Sequence, residues 1–254
     1  MNSVEARALS FRHGDGPLVL RGLDFRVEAG EFVCLLGHSG GGKTTLLRLA
    51  AGLERPTSGE LLVGGSPVAG PGTDRGMVFQ EHSLFPWLTA RANVAFGVRQ
   101  AFRRLSRREA EARAVYFLER AGLAGGLDLY PHQMSGGMRQ RAAVARMLAM
   151  DARVWLLDEP FSALDPTMRL SLQTLVRKLW AEGEPRKTVL FVTHNVDEAL
   201  RLADRILFLG GGRIAGDLRA ATGEGTDSDE ARRFALRTEL ARLYREHAAG
   251  RDVA

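Results

Sequence analysis

Cysteine, signal sequences and long apolar runs are scarce or missing in this chain. Cys34 is the only cysteine, which excludes disulfides within the chain and cysteine-rich metal sites, and which indicates a reducing compartment. The first residues contain no apolar signal region, and no apolar run approaches the length of a membrane span. We therefore expect a cytosolic protein that acts at a membrane only through a partner.

Long blocks of one charge are missing as well. The chain has 35 lysines and arginines against 30 acidic residues, a net charge of +5. The densest basic stretch, Arg103-Arg104 with Arg107-Arg108, is interrupted by two uncharged residues. Scattered charge does not form the basic stripe that is typical of nucleic-acid binding, so we expect no nucleic-acid partner.

A glycine-rich loop between an apolar run and a helix start is the most informative feature that is present. The apolar run covers residues 32–36, and residues 45–49 read as the first turns of a helix. A phosphate-binding loop requires this setting, and the alternative is an ordinary glycine-rich turn. The loop and the threonine after it are Gly37, His38, Ser39, Gly40, Gly41, Gly42, Lys43, Thr44 and Thr45.

The residue types in this loop suit a nucleoside triphosphate with Mg²⁺. Glycines let backbone N–H groups point at phosphate oxygens, and the helix adds its positive N-terminal end. Lys43 would reach the outer phosphates, and the Thr44 hydroxyl would bind the metal. Only three of the 35 basic residues are lysines, and this one stands where a planar guanidinium would not substitute.

Two acidic residues follow a second apolar run, at residues 154–157. If the run is a strand that ends beside the phosphate loop, Asp158 can hold Mg²⁺ through its water ligands. Glu159 can orient and polarise the attacking water, since phosphoryl transfer depends on positioning and charge stabilisation. The alternative is a helix start, where acids are favoured and Pro160 would occupy the first turn.

A second anion-binding helix start is predicted at Ser135-Gly136-Gly137. A serine N-cap followed by glycines and a helix presents free backbone N–H groups to an anion. One nucleotide needs only one phosphate cradle. A second cradle in the same chain therefore suggests a site that is shared between two chains.

Together these motifs resemble the ATP-binding subunit of an ABC transporter over about residues 4–217. Ser135, Gly136 and Gly137 match the signature loop of that family, although Met134 and Met138 replace the usual leucine and glutamine. The serine and both glycines are kept. The resemblance therefore implies contact with the phosphates of ATP.

Further motifs follow in the family's order. Gln80 matches the Q-loop, which implies a place for it in catalysis and at the metal. Residues 162–165 match the D-loop, and His194 matches the switch histidine, with Asn195 where aspartate is common. His13 stands where the family stacks an aromatic residue on adenine, so it is either a smaller stacking group or an ordinary turn residue.

The resemblance implies a homodimer that closes head to tail around two ATP molecules. One copy would present the phosphate loop, the acids, the glutamine and the switch histidine to the signature loop of the other. ATP would bridge the two copies, and hydrolysis would remove the bridge. Opening and closing would then move membrane-spanning permease subunits.

The pattern of apolar runs predicts an α/β fold. Runs at 154–157, 189–192 and 206–209 are apolar on both faces and separated by helical stretches, which indicates a parallel sheet. We expect a P-loop NTPase core with an antiparallel N-terminal subdomain and an inserted helical subdomain. The cassette is placed at 1–217 with the insertion at about 85–150, and a linker and helical tail follow at 218–254.

The helical tail is predicted at residues 230–247, with Phe234, Leu236, Leu240, Leu243 and Tyr244 on its apolar face. Docking on the parent domain is the preferred interpretation. Its arginines leave a membrane surface as the alternative.

Within the family, the chain most resembles the nitrate/sulfonate/taurine importer group, which works with two permease subunits and a periplasmic or extracellular solute-binding protein. The stretches 79–89 and 160–165 carry this resemblance. It implies a peripheral location on the cytoplasmic face of the membrane. The alternatives are an export or lipid-extraction ATPase, a non-transport mechanical ATPase, and a small-molecule kinase, which would lack the Ser135 loop.

Two aromatic residues flank a proline shortly after Gln80. Phe85 and Trp87 would form a docking knob for the permease, because aromatic side chains anchor interfaces. The alternative is that they fill the core of the helical insertion.

Overall fold

The computed structural model describes residues 2–80, 83–220 and 227–248. Its strands are β1 (Val4–Arg12), β2 (Leu18–Val27), β3 (Phe32–Leu36), β4 (Ser58–Val63), β5 (Ser66–Pro67), β6 (Arg75–Val78), β7 (Val154–Asp158), β8 (Thr188–Val192), β9 (Arg205–Gly210) and β10 (Arg213–Arg219). Its helices are α1 (Lys43–Ala51), α2 (Ala90–Ala101), α3 (Arg107–Arg120), α4 (Gly136–Ala149), α5 (Pro166–Glu182), α6 (Val196–Leu202) and α7 (Asp227–Ala248). They fall into two compact units, one formed by the described residues of 1–72 and 187–254 and the other by those of 73–186.

Two sheets build the first unit. The N-terminal sheet has the antiparallel order β2-β1-β4-β5. In the other sheet β3 lies between β8 and β9 with parallel pairing, and β10 runs antiparallel beside β9. Every residue of β3 and β8 is buried, as expected for strands covered on both faces. The predicted α/β class, with a parallel core sheet and an antiparallel N-terminal sheet, is confirmed.

The second unit contains the inserted helices. Helices α2, α3 and α4 pack on one another, and β6 pairs with β7 in parallel. Ser106 caps α3 through the predicted capping box, in which its hydroxyl accepts from the Glu109 amide and the Glu109 carboxylate accepts from the Ser106 amide. This unit is wider than the insertion predicted at 85–150, because β6, β7 and α5 belong to it.

The C-terminal helix α7 packs on β9, β10 and α6 within the first unit. Leu240 and Leu243 are buried and Tyr244 is half-buried, which agrees with docking on the parent domain. The placement of Phe234 on the same face is wrong, because its side chain is 72% exposed. It lies six residues before Leu240, and that spacing turns it to another side of the helix. Most of the predicted linker lies outside the described residues.

Candidate functional site

The glycine-rich loop joins the carboxyl end of β3 to the start of α1, as predicted. Gly40 and Gly42 have φ angles of 77° and 92°, which glycine adopts without strain. Gly37 passes so close to β9 that an added Cβ would lie 2.2 Å from the Leu209 carbonyl oxygen. The loop shape therefore depends on glycine at these positions.

Lys43 folds back over the loop that precedes it. Its Nζ donates to the carbonyl oxygens of Gly37 and His38, both at 2.8 Å, and the residue is buried. Thr44 is exposed in the first turn of α1, whereas Thr45 is buried. The ammonium group and the exposed hydroxyl thus lie at the N-terminal end of a helix, where anions are favoured.

His194 follows the strand next to the one that carries the loop. β3 and β8 pair in parallel, and the Thr193 amide donates to the Leu35 carbonyl at 3.3 Å. The exposed His194 and the loop after Leu36 therefore leave the same edge of the sheet. Asn195 caps α6 by accepting from the Glu198 amide at 3.1 Å, so asparagine fills the capping role here.

His13 lies in the turn between β1 and β2. Its imidazole is exposed and packs edge-on against Phe11, with ring centroids 4.8 Å apart. Its carbonyl accepts from the Gly16 amide, which closes the turn. An exposed ring can stack on a base, so adenine stacking stays a prediction.

In the second unit, β6 and β7 bring Gln80 and the two acids to one sheet edge. The strands pair in parallel up to Val78 and Leu157. Asp158 ends β7 and is only 2% exposed, while Gln80 is exposed two residues after β6. The carboxyl ends of neighbouring parallel strands are a common place for ligand-binding residues.

Glu159 has a left-handed backbone, with φ of 46°. Its carbonyl oxygen accepts from both the amide and the hydroxyl of Ser162 in the D-loop, which holds the turn in place. A non-glycine residue in this region costs free energy, and such residues concentrate at functional sites. The strain is consistent with the catalytic role predicted for its carboxylate.

The signature loop begins α4 as predicted. The exposed Ser135 is the N-cap, and its hydroxyl accepts from the Met138 amide at 3.2 Å. An added Cβ at Gly137 would lie 3.3 Å from Leu164 and 3.4 Å from the Ala163 carbonyl. Gly136 and Gly137 thus open the helix while leaving room for the D-loop beside them.

The segment after Gln80 presents aromatic side chains in a fixed turn. Trp87 is 70% exposed, so the alternative that it fills the core is wrong. The Phe85 ring lies 5.5 Å from the Trp87 ring and 4.9 Å from the Phe96 ring. We call Phe85, Trp87 and Phe96 the aromatic surface.

Two residues that sequence reasoning missed hold this segment in place. The fully buried Asn93 accepts from the Phe85 amide and donates to the Phe85, Leu88 and Thr89 carbonyl oxygens. Arg146 of α4 donates to both the carbonyl and the hydroxyl of Ser83. An asparagine among helix-forming residues was the available signal, since it is a poor helix former unless its side chain has partners.

The donor groups suit magnesium bound together with a nucleotide. Among the described side chains, no three histidine, cysteine, aspartate or glutamate residues are grouped to hold a metal. Mg²⁺ commonly takes one or two protein oxygens, and phosphates and waters complete its shell. Thr44 in the first unit and Asp158 in the second each offer an oxygen of this kind. Over the same described ranges, no helix is long and apolar enough to cross a bilayer.

Comparisons with known proteins agree with this arrangement. Residues 20–162 match the ABC transporter family. The nitrate import ATP-binding protein NrtD of Synechocystis sp. is 46% identical over 192 residues, which cover 76% of this chain and 71% of that protein. The bicarbonate transport ATP-binding protein CmpC of Synechococcus elongatus is also 46% identical, over 78% of this chain and 30% of that protein.

A solved structure supports the same assignment. The ATP-binding cassette MJ0796, a dimer in a post-hydrolysis state bound to ADP and Pi, superposes with a TM-score of 0.78 at 31% identity. The match covers 87% of this chain and all of that one. The chain therefore belongs to the ABC transporter family and is one of its ATP-hydrolysing subunits.

Proposed function

We propose that the protein energises the uptake of a small anion, of the nitrate, sulfonate or taurine type, through a partner permease. The observation that carries this proposal is the 46% identity with a nitrate import protein over 76% of the chain. The relative named for bicarbonate transport also handles a small anion. In such a system the ATPase is peripheral, on the cytoplasmic face of the membrane, and a solute-binding protein on the other side selects the solute.

Residues 37–45 hold the phosphates of ATP. Backbone N–H groups of the glycine loop and the N-terminal end of α1 receive the phosphate oxygens. Lys43 now donates to the loop carbonyls, and it would turn part of its hydrogen bonding to the outer phosphates. His13 stacks on the adenine.

Hydrolysis is carried by residues at the strand ends. Glu159 polarises the attacking water, and Gln80 and His194 position the water and the outer phosphate. Thr44, Asp158 and Gln80 would hold Mg²⁺, which neutralises charge that develops on the phosphates. The exposure of Gln80 and His194 leaves both side chains accessible to a ligand.

The signature loop acts on the ATP of a second copy. Ser135, Gly136 and Gly137 present the N-terminal end of α4, with an exposed serine. The similar cassette was solved as a dimer with ADP and Pi, which supports a homodimer for this chain. Two copies then bind two ATP molecules, and the charge of the polyphosphate favours the closed form.

The aromatic surface is the docking site for the permease. Trp87 and Phe96 are exposed, Phe85 is half-buried, and Asn93 holds the backbone of this segment, which is the arrangement expected of an interface anchor. Arg146 connects the same segment to α4, the helix that the signature loop begins. A displacement of the aromatic surface can therefore be transmitted to the signature loop through packed elements of one unit.

Replacement of Trp87 by alanine should weaken permease binding about 30-fold or more, because a buried aromatic anchor contributes about 2 kcal/mol. The ATPase activity of the isolated subunit should not change. The measurement is permease-stimulated ATP hydrolysis and solute uptake in reconstituted complexes. Tyr116→Ala, which removes another exposed aromatic residue of the same unit, is the control. Normal coupling in the Trp87 variant would place the docking site elsewhere.

The direction and substrate class can be tested in membrane vesicles. The tagged chain, purified from its own membranes, should retain a permease. Vesicles that contain this complex and the solute-binding protein should take up nitrate or a sulfonate only when ATP is supplied. Outward movement of a solute or lipid would favour the exporter alternative. Purification without any membrane protein would favour a mechanical ATPase.

A further inference from the structure

Helix α7 is fitted closely to β9, the strand beside β3, and to β10. An added Cβ at Gly216 of β10 would lie 2.6 Å from Leu243. One at Gly210 of β9 would lie 2.3 Å from the ring of His247. A side chain larger than hydrogen at either position would collide with the Leu243 or His247 side chain of α7. The two strands are therefore shaped to receive α7.

One residue of the loop itself contacts this helix. Nε2 of His38 lies 2.9 Å from the backbone oxygen of Tyr244. Because a carbonyl oxygen can only accept, this nitrogen carries the proton and donates it. The His38 and Tyr244 rings also meet edge to face, with centroids 5.1 Å apart.

Tyr244 lies between the loop and the sheet. Its ring packs edge-on against Phe208 of β9 at 4.9 Å. Its hydroxyl oxygen is buried and has no hydrogen-bond partner of normal geometry among the described residues. Burial raises the pKa of this hydroxyl, and a backbone interaction with Gly37 opposes part of the rise. The Tyr244 ring thus packs between His38 of the loop and Phe208 of β9.

His38, together with Gly37, also holds the lysine of the loop. Lys43 donates to the carbonyl oxygens of Gly37 and His38. Gly37 is also pressed against the Leu209 carbonyl of β9, the strand on which α7 packs. A continuous set of contacts therefore runs from α7 through residues 37–38 to the ammonium group.

A second contact ties α7 to the segment after the switch histidine. Arg237 pairs with Asp197 of α6 at 2.6 Å. Both side chains are more than half exposed, so the pair contributes little stability by itself. The pair joins α7 to α6 seven residues before Tyr244.

We propose that Tyr244 is a positioning residue for phosphate binding, through which α7 holds His38 in the conformation that presents Lys43. The inference rests on the proposed phosphate site at residues 37–45. It adds that α7 and the nucleotide are thermodynamically linked. A docked helix favours nucleotide binding, and bound nucleotide favours the docked helix to the same degree.

The first test measures ADP binding by the full chain. Tyr244→Ala should raise the Kd for ADP about tenfold, within the range usual for coupled sites. It should raise the KM for ATP in parallel with little change in kcat, because ground state and transition state both use the loop. Tyr244→Phe should bind ADP as well as the unchanged protein, because it keeps the ring and removes only the buried hydroxyl. Phe234→Ala, an exposed position on the same helix, is the matched control.

Hydrogen exchange of the unchanged protein gives an independent test. ADP should slow exchange of the amides of residues 240–248, as the linkage requires. A Tyr244→Ala variant that is folded by circular dichroism and binds ADP within twofold of normal would overturn the inference, and so would the lack of any ADP effect on these amides in the unchanged protein. Lys43→Ala distinguishes a failure of the role of Tyr244 from a failure of the proposed phosphate site. If this variant also binds ADP normally, the phosphate site itself is misassigned; if it fails to bind, only the role of Tyr244 is lost.

Discussion

Replacement of Glu159 by glutamine is expected to slow ATP hydrolysis by about 10²–10⁴-fold, the usual contribution of a positioned general base, while ATP binding persists. Glutamine keeps the size of the side chain and most of its hydrogen bonding but cannot take a proton from water. The carboxylate follows β7 on a backbone with φ of 46°, and its carbonyl is held by Ser162. We therefore expect the amide to occupy the same place.

The same variant should accumulate as an ATP-bound dimer. With hydrolysis stopped, the polyphosphate continues to bridge the two copies, so the closed form is no longer lost. Gel filtration with and without ATP measures this directly. Glu119→Gln, which changes an exposed glutamate of the same unit, should remain active and should not be trapped. A Glu159→Gln protein that stays monomeric with ATP bound would contradict the shared site.

Replacement of Ser135 by arginine should abolish turnover, by about 10²–10³-fold or more, but leave nucleotide binding by the separated subunit intact. The serine is the exposed N-cap of α4, where an anion can approach. Arginine removes the hydroxyl and fills the approach to the N-terminal end of the helix. Loss of hydrolysis without loss of ADP affinity places this loop on the ATP of the partner copy.

The chain offers a matched control for this variant. Ser106 is also an exposed serine that caps a 14-residue helix of the same unit. Ser106→Arg should cost about 1 kcal/mol of stability through the lost cap and should leave turnover unchanged. If Ser106→Arg and Ser135→Arg are equally inactive, loss of a helix cap explains both, and the signature role is wrong.

Mixed subunits sharpen the test further. Lys43→Ala and Ser135→Arg subunits are each expected to be inactive alone. A mixed dimer keeps one intact site, formed by the normal Lys43 of one copy and the normal Ser135 of the other. An equal mixture should regain about a quarter of normal turnover, because half of the dimers are mixed and each has one working site of two. No recovery would mean that each chain holds its ATP alone.

The elements that were predictable from sequence depend on local chemistry. Ser106 with Glu109 predicted a capping box, and the structure contains it. The glycines before Lys43 predicted a tight turn. Gly40 and Gly42 have the left-handed φ angles that such a turn requires. Buried parallel strands were visible as apolar runs, because neither face of the strand meets water.

What was missed depends on contacts between distant residues. His38 and Tyr244 are separated by 206 positions, and nothing in either neighbourhood indicates the other. Strand β10 has no buried residue and little apolar character. Its sequence therefore shows no alternating apolar pattern that would have predicted its pairing with β9. Phe234 looked like part of an apolar face because hydrophobicity was read without the direction of each side chain.

The left-handed backbone at Glu159 carries a consequence for how this protein can evolve. A glycine there would relieve roughly 1–2 kcal/mol of steric conflict and would remove the carboxylate. Selection for stability alone would therefore favour glycine at this position, which is more stable but inactive in ATP hydrolysis. Glutamate is kept at this turn only while ATP hydrolysis is selected. When that selection is relaxed, this position should therefore be substituted sooner than the buried strands.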